Sequence, residues 1–213
     1  IAPANALKNP LDILLSKIIL ILSFVTVLTA CKESKKEDKQ NVKTETYQLN
    51  SETAIINWTG YKYTNKTGVK GQMQTVNISN NKVGKDISEA LTGVEFSVPV
   101  SSVFSNNESR DYKLKTLFFA IMDHTDLISG TFSNASNSQG TISLTLNNET
   151  HDLPYTLDVK GKTAYLKASV DLNIWHAQPA LASLHTACEL LHTGTDGISK
   201  TWNTVDLDIV LNF

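Results

Sequence analysis

From about residue 54 to the last residue, hydrophobic and polar positions alternate with a period of two. Val205, Leu207, Ile209, Leu211 and Phe213 alternate with Asp206, Asp208, Val210 and Asn212. Successive side chains of a strand point to opposite faces, so this pattern predicts a strand with one dry and one mostly wet face. The same alternation marks Leu166 to Leu172, Leu153 to Val159, Ile142 to Leu146 and Val94 to Val100. Pro99 has no N–H, which places its side of that last strand at an edge or a bulge. Ala54 to Tyr61 and Val69 to Ile78 also read as extended. Turn chemistry separates these runs at Asn65-Lys66-Thr67-Gly68, Asn80-Asn81, Asn147-Asn148 and Lys160-Gly161.

Two segments follow a helical period instead. Between Arg110 and Met122, residues Leu114, Leu117, Phe118 and Ile121 fall at i, i+3, i+4 and i+7, with Ser109 as a candidate cap. Between Pro179 and His192, residues Leu181, Leu184, Cys188 and Leu191 form one stripe. Pro179 suits a first turn and Gly194 an exit. The sum is a mostly β chain: about eight antiparallel strands with two short helices. A closed antiparallel barrel is the expected architecture, because closure removes sheet edges and eight strands can enclose one small ligand. A two-sheet sandwich has the same periodicity.

The N-terminal region obeys neither period. Ile18 to Ala30 is an uncharged apolar run preceded by Lys17. A bilayer span needs about 20 residues, whereas a basic flank with a short apolar core is the layout of an export signal. Leu28-Thr29-Ala30-Cys31 matches the pattern read by lipoprotein-processing machinery, in which the cysteine thiol receives a lipid. Residues 1–30 are therefore expected to be a lipoprotein signal peptide and Cys31 the lipid-attachment site. Residues 31–44 include Lys32 to Lys43, KESKKEDKQNVK. So few apolar groups cannot offset the entropy of ordering, and a flexible charged tether is expected. Residues 45–213 form one domain, long enough to bury a core. The expected location is the cell envelope, lipid-anchored, at the outer membrane on its periplasmic or surface side.

Composition narrows the chemistry. The formal net charge is −2 and no basic patch with interleaved aromatics occurs, which argues against nucleic acid. With Cys31 lipidated, Cys188 has no disulfide partner. No G-x-S-x-G, H-E-x-x-H or P-loop motif is present, so no catalytic residue is assigned and a non-enzymatic protein is expected. Thr195-Asp196-Gly197 reads as a turn, lacking the spaced acids of a calcium loop. His185, Cys188 and His192 fall on one helical face, but His185 and His192 would stand about 10.5 Å apart along a straight helix axis. Cys188 with His192 is thus a weak alternative as a metal pair, and Cys188 within an apolar stripe is better read as a small filler. Trp175 and Trp202, on either side of the second helix, read as packing anchors.

Several residues in order resemble a known family. Arg110-Asp111, then Leu114, Phe118 and Phe119, then the strand Leu127 to Phe132, are similar to an R-D-x-x-L run with an aromatic pair before a strand ending in Phe. Leu144-Thr145-Leu146-Asn147 with Thr150 and Leu153 resembles a late hairpin of that family, and Trp58 stands where an early strand is often aromatic. The family is YceI, the polyisoprenoid-binding, lipocalin-like proteins of bacterial envelopes, and the resemblance spans Tyr47 to Phe213. Lys113 departs from it, standing where a His is common, and the region 173–203 is an elaboration. The resemblance implies a lipocalin-like barrel with an apolar tunnel for an isoprenoid or fatty-acyl chain and no other cofactor. Phe96, Val98, Leu144, Leu157, Val170 and Leu207 are the candidate cavity wall. Arg110 and Asp111 are candidate headgroup contacts, with an ion pair or helix-start role as their structural alternative. Two functions follow: a carrier or binder of an amphiphilic lipid, or an interaction module whose barrel is filled by its own side chains.

Overall fold

A computed structural model describes residues 45–213; the expected signal peptide, Cys31 and tether lie outside them. The described chain forms one antiparallel sheet of ten strand segments and three α-helices. The segments are β1 (Ile55–Lys62), β2 (Thr67–Met73), β3 (Asn77–Ser79), β4 (Glu95–Pro99), β5 (Val103–Phe104), β6 (Leu127–Ser133), β7 (Gln139–Leu146), β8 (Glu149–Lys160), β9 (Thr163–Asp171) and β10 (Thr204–Asn212). The helices are α1 (Ile87–Leu91), α2 (Glu108–Lys113) and α3 (Gln178–Cys188). The order across the sheet is β3-β4-β6-β7-β8-β9-β10-β1-β2-β5.

This order curls the sheet on itself. β2 and β3 lie at opposite ends of the order but are consecutive in the chain, and so are β4 and β5. Asn77 pairs with Ser97, and Met73 pairs with Val103. Four residues back along one strand thus match six forward along the other. The two contacts are one antiparallel pair, interrupted by the 3-10 turn Val100–Ser102 and spanned by a hydrogen bond from Gln74 N to Ser102 O (3.0 Å). Counting β2–β3 and β4–β5 as single bent strands, the ten segments make the eight passes that the alternation predicts. Strand β4 ends at Pro99, where the sheet bends, in keeping with a missing N–H.

Hairpin turns follow local chemistry. Asn147 and Asn148 both have positive φ (52° and 57°), the pairing a two-residue type I′ turn requires and Asn tolerates. Gly161 (φ 62°) supplies the single positive φ of the turn between β8 and β9.

The barrel interior has two unlike halves. Leu49, helix α1, Phe132, Tyr155, Leu157, Leu166 and Leu211 pack solidly at one end. The other end receives two long connections: residues 105–126, carrying α2, and residues 172–203, carrying α3. The second connection is tied to β1 by the Lys62–Thr201 bridge, and Tyr63 N donates to Lys200 O while Trp202 N donates to Tyr61 O. It is also pinned by Trp175, wholly buried, whose Nε1–H donates to Leu144 O (3.1 Å). Trp175 is thus the packing anchor that the sequence suggests.

A candidate lipid cavity at the open end of the barrel

The hollow end contains a cavity of about 440 Å³, within the 300–1,000 Å³ range of small-molecule sites. Its wall is built by the inward positions of the strands. Ile56 and Trp58 of β1, Phe96 and Val98 of β4, Leu144 and Leu146 of β7, Val170 of β9, and Val205, Leu207 and Ile209 of β10 all line it. The period of two that predicts the strands therefore also supplies the wall.

Of the six wall candidates, Phe96, Val98, Leu144, Val170 and Leu207 line the cavity. Leu157 does not: it is buried in the solid half. It shares a face with Leu153, which does line the cavity, but sits four residues further along β8 toward the filled end. Periodicity fixes the face a residue takes, not its depth along the barrel.

The two helical connections form the mouth, and both differ from the periodic expectation. In the first, the cap is Asn107, not Ser109: Asn107 Oδ1 accepts from Arg110 N (2.9 Å). Helix α2 then opens into a π-turn at Leu114–Phe118 and tightens into a 3-10 turn at Phe119–Ile121. The wider turn rotates the face away from i+7. Leu114, Phe118 and Phe119 line the cavity, whereas Ile121 is exposed. Arg110 lines the mouth, but Asp111 turns away. Asp111 is buried and accepts from Ser105 Oγ (2.5 Å), tying the start of the connection to α2. The Arg110–Asp111 pair thus splits: one residue reaches the mouth and the other holds the backbone that presents it.

In the second connection, the expected stripe is real: Leu181, Leu184, Cys188 and Leu191 all border the cavity, and Leu181 and Leu184 also pack against the barrel core. Cys188 is buried there. The straight helix assumed over 179–192 does not persist, since α3 ends at Cys188 and a 3-10 turn follows at Glu189–Leu191. That change brings His185 and His192 to one hydroxyl. His185 Nδ1 and His192 Nδ1 lie 2.9 and 2.6 Å from Thr201 Oγ1. A hydroxyl has one proton to give, so one imidazole accepts it and the other donates its own N–H. Burial, followed by the charges of Lys62, His185, Lys113 and Arg110, pushes His192 down to about 4, which leaves it uncharged at neutral pH. Among the described residues no three His, Cys, Asp or Glu side chains gather as a metal-binding group.

Sequence reasoning missed Trp58, Trp202 and Lys62 as cavity residues. Trp58 Nε1 is buried with no partner among the described residues, and Trp202 Nε1–H donates to Tyr63 O (2.8 Å) at the rim. Trp202 therefore both anchors and lines. Trp58 carries a signal in the alternation, since it shares a face with Ile56. Lys62, a polar residue at a strand end, carries none.

Comparison with known proteins agrees with this architecture. Among solved structures, a polyisoprenoid binding domain from Saccharophagus degradans implicated in plant cell wall breakdown is 11% identical over 78% of this chain and 95% of that one, with a TM-score of 0.53. BcnA of Burkholderia cenocepacia is 12% identical over 76% and 98%, at 0.47. A Campylobacter jejuni YceI protein is 15% identical over 67% and 85%, at 0.41. No curated protein matches the chain. The YceI-like domain model matches residues 47–213, the whole barrel from the bridge at Tyr47 to the last residue of the chain, and by that match the chain belongs to the YceI-like family.

Proposed function

We propose that this protein binds or carries an isoprenoid or other amphiphilic lipid in the hollow end of its barrel, without catalysis, at the cell envelope where lipid on Cys31 anchors it. The observation that carries the reading is the cavity of about 440 Å³, with an apolar wall and a polar mouth. Such a space suits one apolar chain with its head outward. Each buried CH₂ contributes about 0.8 kcal/mol, and a head contact nets about 1–3 kcal/mol, so the tail dominates affinity. Membership of the YceI-like family, and a neighbour described as a polyisoprenoid binding domain, support the lipid reading.

The test is the content of the protein purified from its own cells. Native mass spectrometry and solvent extraction should recover an amphiphilic lipid in near-stoichiometric amount. Val170→Phe with Leu207→Phe, which fill the cavity from two neighbouring strands, should leave a folded protein without that lipid. An empty wild-type protein would turn the reading toward an interaction module. Anchoring is tested separately: a clickable palmitate analogue should label the wild type and not Cys31→Ala. Protease shaving of intact cells then distinguishes the surface side, where the domain is digested, from the periplasmic side, where it is spared.

A further inference from the structure

Resting on the lipid-binding reading, we infer that the cavity selects an amphiphile whose head is an anion, a carboxylate or a phosphate, held by Lys62, Arg110 and Lys113. These three residues come from the end of β1 and from α2, and all three line the same cavity. Among the described residues no aspartate or glutamate lines it. Nor does any of the three form an ion pair among the described residues. The carboxylate nearest in sequence, Asp111, is engaged by Ser105.

The protein itself leaves these cations underused. Lys62 Nζ donates to Leu191 O (3.2 Å) and Arg110 reaches Ser105 O (3.4 Å), so most of the three plus five N–H donors of an ammonium and a guanidinium remain. All three side chains are half-buried. Positive charges gathered beside an apolar wall without a counter-ion repel one another and lose hydration; an anion entering with its tail relieves both. A neutral head relieves neither. The charges act together on the mouth: Lys62, Lys113 and Arg110 all help to keep His192 unprotonated. His192 therefore adds no fixed charge and remains a neutral hydrogen-bonding group beside the three.

The experiment uses the purified, delipidated protein and matched pairs of ligands below their critical micelle concentrations: palmitate against hexadecanol, and farnesyl phosphate against farnesol. Binding is read from the fluorescence of Trp58 and Trp202. The anionic member of a pair should bind at least about tenfold tighter than its neutral mate. Lys113→Gln should erase most of that preference by weakening the anionic member of each pair far more than hexadecanol or farnesol, and Lys113→Arg should retain it. Preference within only one pair identifies the head as carboxylate or phosphate. Equal binding within both pairs, or a preference untouched by Lys62→Gln, Arg110→Gln and Lys113→Gln combined, overturns the inference and leaves the lipid cavity standing. Binding of none of the four overturns both.

Discussion

Phe96 faces Gly130 across the β4–β6 pair, and Trp58 faces Gly71 across β1–β2. Each ring covers the strand that lacks a side chain. A Cβ added at Gly130 would stand 2.6 Å from Phe96 Cζ, and one at Gly71 would stand 2.1 Å from Trp58 Cζ2 and 2.6 Å from Phe104 O. Both rings line the cavity, so a displaced ring has the cavity to move into. Gly130→Ala is expected to cost about 1–3 kcal/mol through overpacking and to lower the lipid content of the purified protein; a melting curve and extraction check both. The second residue-scale prediction concerns acid. His192 is held down to about 4 by burial and by its cationic neighbours, whereas in the unfolded chain it titrates near 6.5. Below about pH 6.5 the unfolded state binds the extra proton, so stability rises with pH in that window. Stability should be fully present above about pH 6.5 and fall as pH drops toward about 4. Denaturant midpoints measured across that range should lose part of their slope in His192→Gln.

At the scale of elements, the helices at the mouth are short and depend on their ends. Helix α2 has six residues, too few to persist without capping and packing. Asn107→Ala removes the side-chain acceptor for Arg110 N and should cost about 1 kcal/mol. Because α2 carries Arg110 and Lys113, the same substitution should weaken binding of an anionic lipid more than of its neutral mate, while Asn107→Ser restores both. The π-turn at Leu114–Phe118 and the 3-10 turn at Glu189–Leu191 explain why helical spacing located both elements but misjudged the face of the first and the straightness of the second. The apolar period is the same for a straight helix and for one that widens or tightens midway. The conformation is chosen by what the side chains meet: here, Leu114, Phe118 and Phe119 all gain a place on the cavity wall.

For the whole molecule, the division into a filled and a hollow end sets the energetics of binding. The filled half, with Leu91, Val94, Leu166 and Leu211 almost fully buried, holds the barrel without a ligand. The hollow half leaves apolar surface that a tail can cover. Ligand bound only by the folded state stabilises it by RT ln(1 + [L]/Kd). At a hundredfold excess over Kd that is about 2.7 kcal/mol, and refilling the delipidated protein should raise its melting temperature by several degrees. The double substitution Val170→Phe with Leu207→Phe should abolish that rise.

Much of this was legible in the sequence. The alternation by itself determined the strands, their inward faces and the turns between them, since side-chain direction in a strand is a local property of the backbone. Five of the six residues proposed for the wall stand on the cavity. Arg110, singled out within the run of residues that resembles the YceI family, stands at the cavity mouth. Tertiary structure decided what depends on position along the barrel. Leu157 and Leu153 share a face, yet only Leu153 borders the cavity, because depth is set by which end is plugged. Asp111 left the mouth for Ser105, and two histidines seven residues apart met at one hydroxyl of a third segment. Lys62 joined Arg110 and Lys113 only because β1 ends where α2 begins its turn over the barrel. Such meetings bring together residues far apart in the chain, and no local period encodes them.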